Sequence, residues 1–294
     1  MKRSGFQGAK INPTKFHRSQ IKFYLLLTPI SLFMVLPVVF IVSQAFKPID
    51  ELFRFPPTVI VERPTFENFR QIMAMTGAAD IPISRFIVNT LIVTTVTVVL
   101  TILITAMTAY CFSKKKFRLN KTLFKINQAA LMFVPTAVMM PRFLVIVNTG
   151  IHNNFMAHIL PLMAMPVGLF LVKSFVDTHV PDSLIEAARI DGAGEIRIMW
   201  NVVFPLITPA LATVCVLTFQ AVWGNIETST LFVTNETMRT FAFYMHQFQV
   251  SATANPMMAG VGSAAALLMF FPNLIIFIAM QSRVMNTMGH SGIK

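Results

Sequence analysis

The 294-residue chain is 55% hydrophobic and only 12% charged, against roughly 45–50% and about 25% in soluble proteins, so a soluble enzyme is excluded and one transmembrane domain is expected. Its net charge of +12 would suit nucleic acid, but the basic residues gather at the N-terminus and in one short loop, a distribution that membrane topology explains. Cys111 and Cys215 both sit in apolar stretches and support neither a disulfide framework nor a thiolate metal site.

Residues 1–22 carry six Lys and Arg and no acid, followed by 24 uncharged residues from Phe23 to Phe46. A bilayer needs about 20, and a secretory signal core has only about 7–15, so this is read as the first span. Lys47 to Arg85 is mixed in charge and rich in Pro, an ordered outer loop with one short helix near Phe66 to Met75. The second span, Phe86 to Ser113, ends at Lys114-Lys115-Lys116-Phe117-Arg118, which marks the inner side. The third is placed from Leu123 to Val147 as one helix kinked by Pro135 and Pro141. The fourth is placed from Asn154 to Val176, the fifth from Leu206 to Ile226 and the sixth from Val261 to Gln281. Gly260, Gly262 and Ala264 to Ala266 open the sixth span as a run of small residues, which suits close helix packing. Six spans put both termini on one side, and most of the 24 Lys and Arg then fall inside.

Between the fourth and fifth spans lies a polar island, 177–209. Pro181 can start a helix, Leu184, Ala187 and Ala188 fall on one helical stripe, and Gly192 offers the positive φ that ends it. Ser183 and Glu186 also have the spacing of a capping box. The side chains on the stripe are small enough for close approach by another surface, and Glu186 and Asp191 add charge, so the stretch reads as a docking knob.

Glu186, Ala187, Ala188, Gly192 and Pro205 stand at the offsets of the EAA loop of binding-protein-dependent ABC importers, with Val202 and Phe204 in place of the usual Ile and Leu. With Ile190-Asp191-Gly192-Ala193 and Pro209, the stretch resembles the sugar-transporting, MalG-like branch. The resemblance extends to the basic N-terminus, the spans and Trp223-Gly224-Asn225, where Gly224 departs from the usual Trp-Asn. It implies an all-α polytopic protein of six transmembrane helices with the type I importer (MetI-like) fold: a basic cytoplasmic N-terminus at 1–22, a transmembrane domain at 23–284 and a cytoplasmic tail at 285–294. It also implies a multi-pass protein of the bacterial inner membrane, working with a sister permease as a heterodimer, two ATPase subunits that hold ATP and Mg, and an extracytoplasmic solute-binding protein. Glu186, Ala187, Ala188, Asp191, Gly192 and Pro205 would then couple the chain to the ATPase.

No Walker loop, His-Glu-x-x-His or Cys-x-x-Cys is present, so no nucleotide, metal or catalytic constellation is expected on this chain, nor any cofactor. The other reading, a self-sufficient secondary transporter or membrane-embedded enzyme, would call for intramembrane acids or inverted repeats, which the uncharged span interiors do not offer. Arg142 is the one charge embedded between long apolar runs. It is expected either on the substrate path with Gln220 and Asn225, where it would favour an acidic oligosaccharide such as a uronate, or snorkelling or paired with an acid of the sister subunit. The resemblance further implies that the outer segment 227–259 contacts the binding protein, with Asn235 and Thr237 as the contact residues, while its uncharged run Thr240 to Phe248 could equally be a re-entrant or interfacial piece packed on the bundle.

Overall fold

The computed structural model describes residues 20–290 except 57, 59 and 78–80, and of 282–290 the helix backbone. The basic N-terminus lies almost wholly outside the described residues, as do the last four residues of the tail. The described residues are helical, with no strand.

Helix α1 (Ile21–Phe46) is followed by the short α2 (Ile49–Leu52) and α3 (Glu67–Gly77), the latter matching the helix expected in the first loop. Helix α4 (Ile83–Lys114) is the second span. Pro82 precedes its first turn, and Asn120 Nδ2 donates to the carbonyls of Phe112 (3.1 Å) and Lys115 (2.9 Å) at its end. Helix α13 (Ala259–His290) contains the sixth span and continues beyond it.

The third span departs from expectation. In place of one kinked helix over 123–147, the chain forms α5 (Asn120–Ala130), turns over 131–138, and α6 (Met139–Asn148). Pro135 lacks an N–H and biases Val134 away from the helical region, whereas Pro141 falls in the first turn of α6, where it is tolerated. The fourth span is also two pieces, α7 (Met156–Met163) and α8 (Pro166–His179), bent by 43°. Pro166 opens α8 and Met165 before it is extended (φ −119°, ψ 88°), as a residue ahead of proline should be. Among the described residues, four helices are therefore long and apolar enough to cross a membrane, five with the bent pair; the broken α5–α6, expected as the third span, is not one of them.

After α8 come α9 (Asp182–Ile190), α10 (Glu195–Ile198), one π-helical turn (Met199–Val203) and α11 (Phe204–Trp223). Phe204 N–H bonds to Met199 O, one residue further back than in an α-helix. Pro205 follows at once, and its missing N–H removes the bond that would otherwise draw the turn back to α-helical spacing. A second π turn (Thr228–Phe232), a 3₁₀ turn (Glu236–Met238) and α12 (Phe241–Ala254) precede α13.

Helix α4 packs against α7, α8, α11 and α12, burying a threonine stripe at Thr90, Thr94, Thr97, Thr101 and Thr105. Two cores form at its two ends. One joins Ala109, Val176, Ile185, Ile198 and Val203 beneath α9. The other joins Phe86, Trp223, Phe241, Met245 and Ala264 at the opposite, far end. The small residues of α13 do what their size predicts: a Cβ on Gly262 would lie 2.5 Å from Ala252 Cβ, and one on Gly260 would lie 2.6 Å from the Asn68 side chain. Asn68 itself donates to the carbonyls of Ala45 and Lys47 (both 2.9 Å), closing the end of α1.

Candidate functional site

Helix α9 is a nine-residue amphipathic piece. Its C-terminus is closed as the sequence predicts: Gly192 has φ +81°, Gly192 N–H bonds to Arg189 O (3.0 Å), and Ala193 N–H bonds to Ala188 O (2.9 Å). Those two bonds define a Schellman motif, with Gly192 in the left-handed position. At the other end Pro181 is the N-cap, and no side chain caps it, so the capping box of Ser183 and Glu186 does not form. The inward anchor is Ile185, 3% exposed, with Ala188 half-buried beside it. Glu186, Ala187, Asp191 and Gly192 are exposed. Leu184, Ile190, Ile196 and Trp200 nearby are exposed too, Ile190 at 86%. The outward face thus carries apolar surface with two acids, Glu186 and Asp191, and one backbone turn.

Charges hold α9 against the end of α4. Lys114 Nζ lies 2.8 Å from Asp182 Oδ1, and this ammonium holds the Asp182 carboxyl below the usual aspartate range. Glu195 collects three partners: Tyr110 donates its hydroxyl at 2.9 Å, Arg189 approaches at 3.1 Å, and Lys115 pairs with the same carboxylate. The sequence marked the basic loop only as a topology signal, and missed that two of its lysines and Tyr110 position the knob. A motif read along the chain carries no signal for partners contributed by another span.

The far end is fastened differently. Asn89 Nδ2, at the start of α4, donates to the carbonyls of Thr237 (2.8 Å) and Arg239 (2.9 Å). His158 on α7 is wholly buried, with Nδ1 2.8 Å from Thr228 Oγ1 and Nε2 3.1 Å from Met238 O. Asn153, at φ 58°, accepts the N–H groups of Thr234 (3.1 Å) and Asn235 (2.8 Å). Asn is one of the few side chains that tolerate that backbone region. Asn225 Oδ1 accepts from Thr228 N–H (3.0 Å) and its hydroxyl (2.8 Å). The result is a fixed platform whose tip, Thr234 to Thr237, stays exposed. Asn235 and Thr237 meet there, Asn235 Oδ1 accepting from Thr237 N–H (3.0 Å) and hydroxyl (2.8 Å).

Arg142 on α6 pairs with Glu227, Nη1 reaching both carboxylate oxygens at 3.0 and 3.2 Å. The partner is thus an acid of the same chain, 85 residues on, rather than one the sequence suggested. Gln220 is exposed on α11 and Asn225 is half-buried just beyond it. Gly224 has a φ of −88°, so the departure from Trp-Asn leaves ordinary backbone, with Trp223 buried and donating to Met269 O (3.2 Å). Among the described residues no group of His, Cys, Asp and Glu could hold a metal ion.

Comparison with known proteins agrees with this geometry. Residues 101–283 match the family described as the binding-protein-dependent transport system inner membrane component. The chain is 29% identical to the melibiose/raffinose/stachyose import permease MelC of Bacillus subtilis over 209 residues, 70% of this chain and 75% of that one. It is 28% identical to the sn-glycerol-3-phosphate permease UgpE of Yersinia pestis over 233 residues, 79% of this chain and 82% of that one. Its fold matches a chain from the crystal structure of a bacterial ABC transporter involved in the import of the acidic polysaccharide alginate, with TM-score 0.76 and 22% identity over 92% of this chain and 99% of that one. The chain therefore belongs to the family of inner-membrane permease components of binding-protein-dependent transport systems, a transport subunit and not an enzyme.

Proposed function

We propose that the chain is one of two sister permeases of a carbohydrate ABC importer, that it moves an oligosaccharide across the cytoplasmic membrane, and that the termini and α9 face the cytoplasm. One observation carries the coupling role: α9 offers a free face of Glu186, Ala187 and the Gly192 turn between two apolar spans, while Ile185 and the charged clamp hold it to the bundle. An ATPase subunit, with ATP and Mg bound on it, docks there. Its movement on nucleotide binding displaces α9 and the spans on either side of it.

The break over 131–138 supports a protein-lined path. Its residues are almost all exposed, Met132 at 85%, and non-helical backbone at membrane depth persists only where protein or a water-filled cavity covers it. The sister subunit and the path take that face. On the opposite side of the membrane the platform tip, Asn235 and Thr237, receives the solute-binding protein. The name of MelC supports a sugar substrate.

The test is tagged purification with cross-linking. The chain should bring down a second permease and an ATPase, Ala187→Cys should cross-link to the ATPase, and Asn235→Cys should cross-link to the binding protein. Absence of the Ala187→Cys product from an assembled complex would overturn the docking assignment. The charge of the sugar is decided by Arg142→Gln: selective loss of transport for acidic oligosaccharides places Arg142 on the path, whereas unchanged selectivity in an assembled complex leaves it a strut to Glu227.

A further inference from the structure

The cations following α4 divide into two sets. Lys114 and Lys115 are engaged by Asp182 and Glu195. Lys116, Arg118, Lys121 and Lys125 are exposed, and among the described residues none of them is in an ion pair. Three of these four, Lys116, Arg118 and Lys121, line a groove of about 590 Å³ between the end of α4 and the start of α5, together with Phe112 and Phe117. The rings of Phe112 and Phe117 pack at 5.9 Å, and Phe124 extends the aromatic wall at 5.8 Å from Phe112. Two carbonyls at the end of α4, those of Phe112 and Lys115, which would repel an anion, are covered by the Asn120 amide.

A groove with aromatic walls and unneutralised cations needs a ligand that is anionic at one end and apolar at the other. Its place fits such a ligand, since α4 is a 32-residue span and its end lies at the level of the headgroups. Helix α5 adds Lys121 and Lys125, one turn apart on one flank, while Leu119, Leu123 and Ile126 are exposed on the other. That division lets the helix keep its apolar flank in hydrocarbon while the lysines reach up to phosphates. Arg118 adds a fork that can hold two phosphate oxygens.

We infer that this groove binds an anionic phospholipid, with Lys116, Arg118 and Lys121 on the headgroup phosphate, Lys125 one turn further along α5 adding its charge from outside the groove, and Phe112 and Phe117 against the first methylenes. The inference rests on the permease reading only in placing the groove at a bilayer surface. It differs from the α9 clamp in its ion pairs, because none of the four cations pairs with Asp182 or Glu195, although Lys116 acts on Asp182 through space.

The experiment uses the assembled transporter in nanodiscs of phosphatidylcholine alone and of phosphatidylcholine with phosphatidylglycerol. Native mass spectrometry after mild delipidation counts the lipids retained. The wild type should keep phosphatidylglycerol in preference to phosphatidylcholine, and the combined variant Lys116→Gln, Arg118→Gln, Lys121→Gln and Lys125→Gln should retain it on the order of tenfold less. Assembly and basal ATP hydrolysis in phosphatidylcholine should be unchanged, and inorganic phosphate should not displace the lipid. Equal retention by the variant overturns the inference, as does displacement by inorganic phosphate, which would mark a free-anion site. Loss of the ATPase from the variant complex also overturns it, by assigning the groove to a protein partner. If the wild-type chain does not assemble with an ATPase at all, the permease proposal fails by itself, and lipid retention by the chain alone still reads the groove.

Discussion

The two ends of α4 are about 48 Å apart along the helix, and they hold their attached segments by opposite means. At one end α9 is fastened by ion pairs whose carboxylates are exposed, Asp182 with Lys114 and Glu195 with Lys115 and Arg189. At the other, the 225–241 segment is fastened mainly by uncharged bonds, most of them to backbone and several buried, through Asn89, Asn153, His158 and the Ser229–Thr240 pair, with one half-buried ion pair, Arg142–Glu227, beside them. Exposed ion pairs are weak and re-form readily with new partners, whereas a buried amide stripped of its partner is costly to leave alone. One end is thus built to shift and the other to stay in shape.

The sharpest way to break that contrast is Asn89→Leu. It takes the amide donor from the Arg239 carbonyl and leaves that of Thr237 with only Arg85 Nε at 3.4 Å, and it should cost about 2–3 kcal/mol, read as a lower melting temperature and as new protease cleavage between Glu227 and Phe241. Gly192→Val comes next, at about 1–3 kcal/mol of local strain. A Cβ there meets nothing within 4 Å, so the cost is backbone conformation alone. The fold should survive, ATP hydrolysis should persist, and transport per ATP should fall; a variant that transports at the wild-type rate would remove the turn from the coupling mechanism. Glu195→Gln should cost less than about 1 kcal/mol, because its charged partners are partly exposed and the Tyr110 bond can remain, but it should loosen α9 in hydrogen exchange.

The smallest effect is that of pH and salt on Asp182. Folding lowers its pKa, so its contribution is fully present above the ordinary aspartate range and is lost as pH falls through the depressed value. Protection of α9 in hydrogen exchange should decline in that acid window and with added salt, while protection of 225–241 stays level.

Part of the α9 end was legible in the sequence, because its chemistry is local: a glycine that must take positive φ and a helix start at Pro181 are matters of neighbours along the chain, whereas the π turn before Pro205 was not foreseen. The fastening of both ends was not. Lys114 lies 68 residues from Asp182 and Asn89 lies 148 from Thr237, and nothing local announces such pairs. A signal did exist for the platform, since Asn89 and His158 are polar residues set in apolar spans, where each must find a partner. The third span was misread for a different reason: its prolines were taken to bend a helix, and Pro135 instead falls where the chain leaves helical geometry. Arg142 was recognised as exceptional, but its partner required the fold.

The bend at Ala164–Met165 gives the fourth span a use that neither half has alone. Its short upper arm is locked by His158 to the platform. Its lower arm, the 14 residues of α8, is about 21 Å long and runs directly into Val180 and α9. Thr101 holds the carbonyl of Met163 at the joint (3.1 Å), and Asn127 holds that of Pro166 (3.2 Å). With the upper arm fixed, each 10° of swing about this joint would carry the α9 end through about 4 Å, close to the width of one side chain. On the proposed coupling the span works as a crank: a push of about 4 Å on α9 would turn α8 by about 10° against the helices it packs on, while the proposed binding-protein platform keeps its shape.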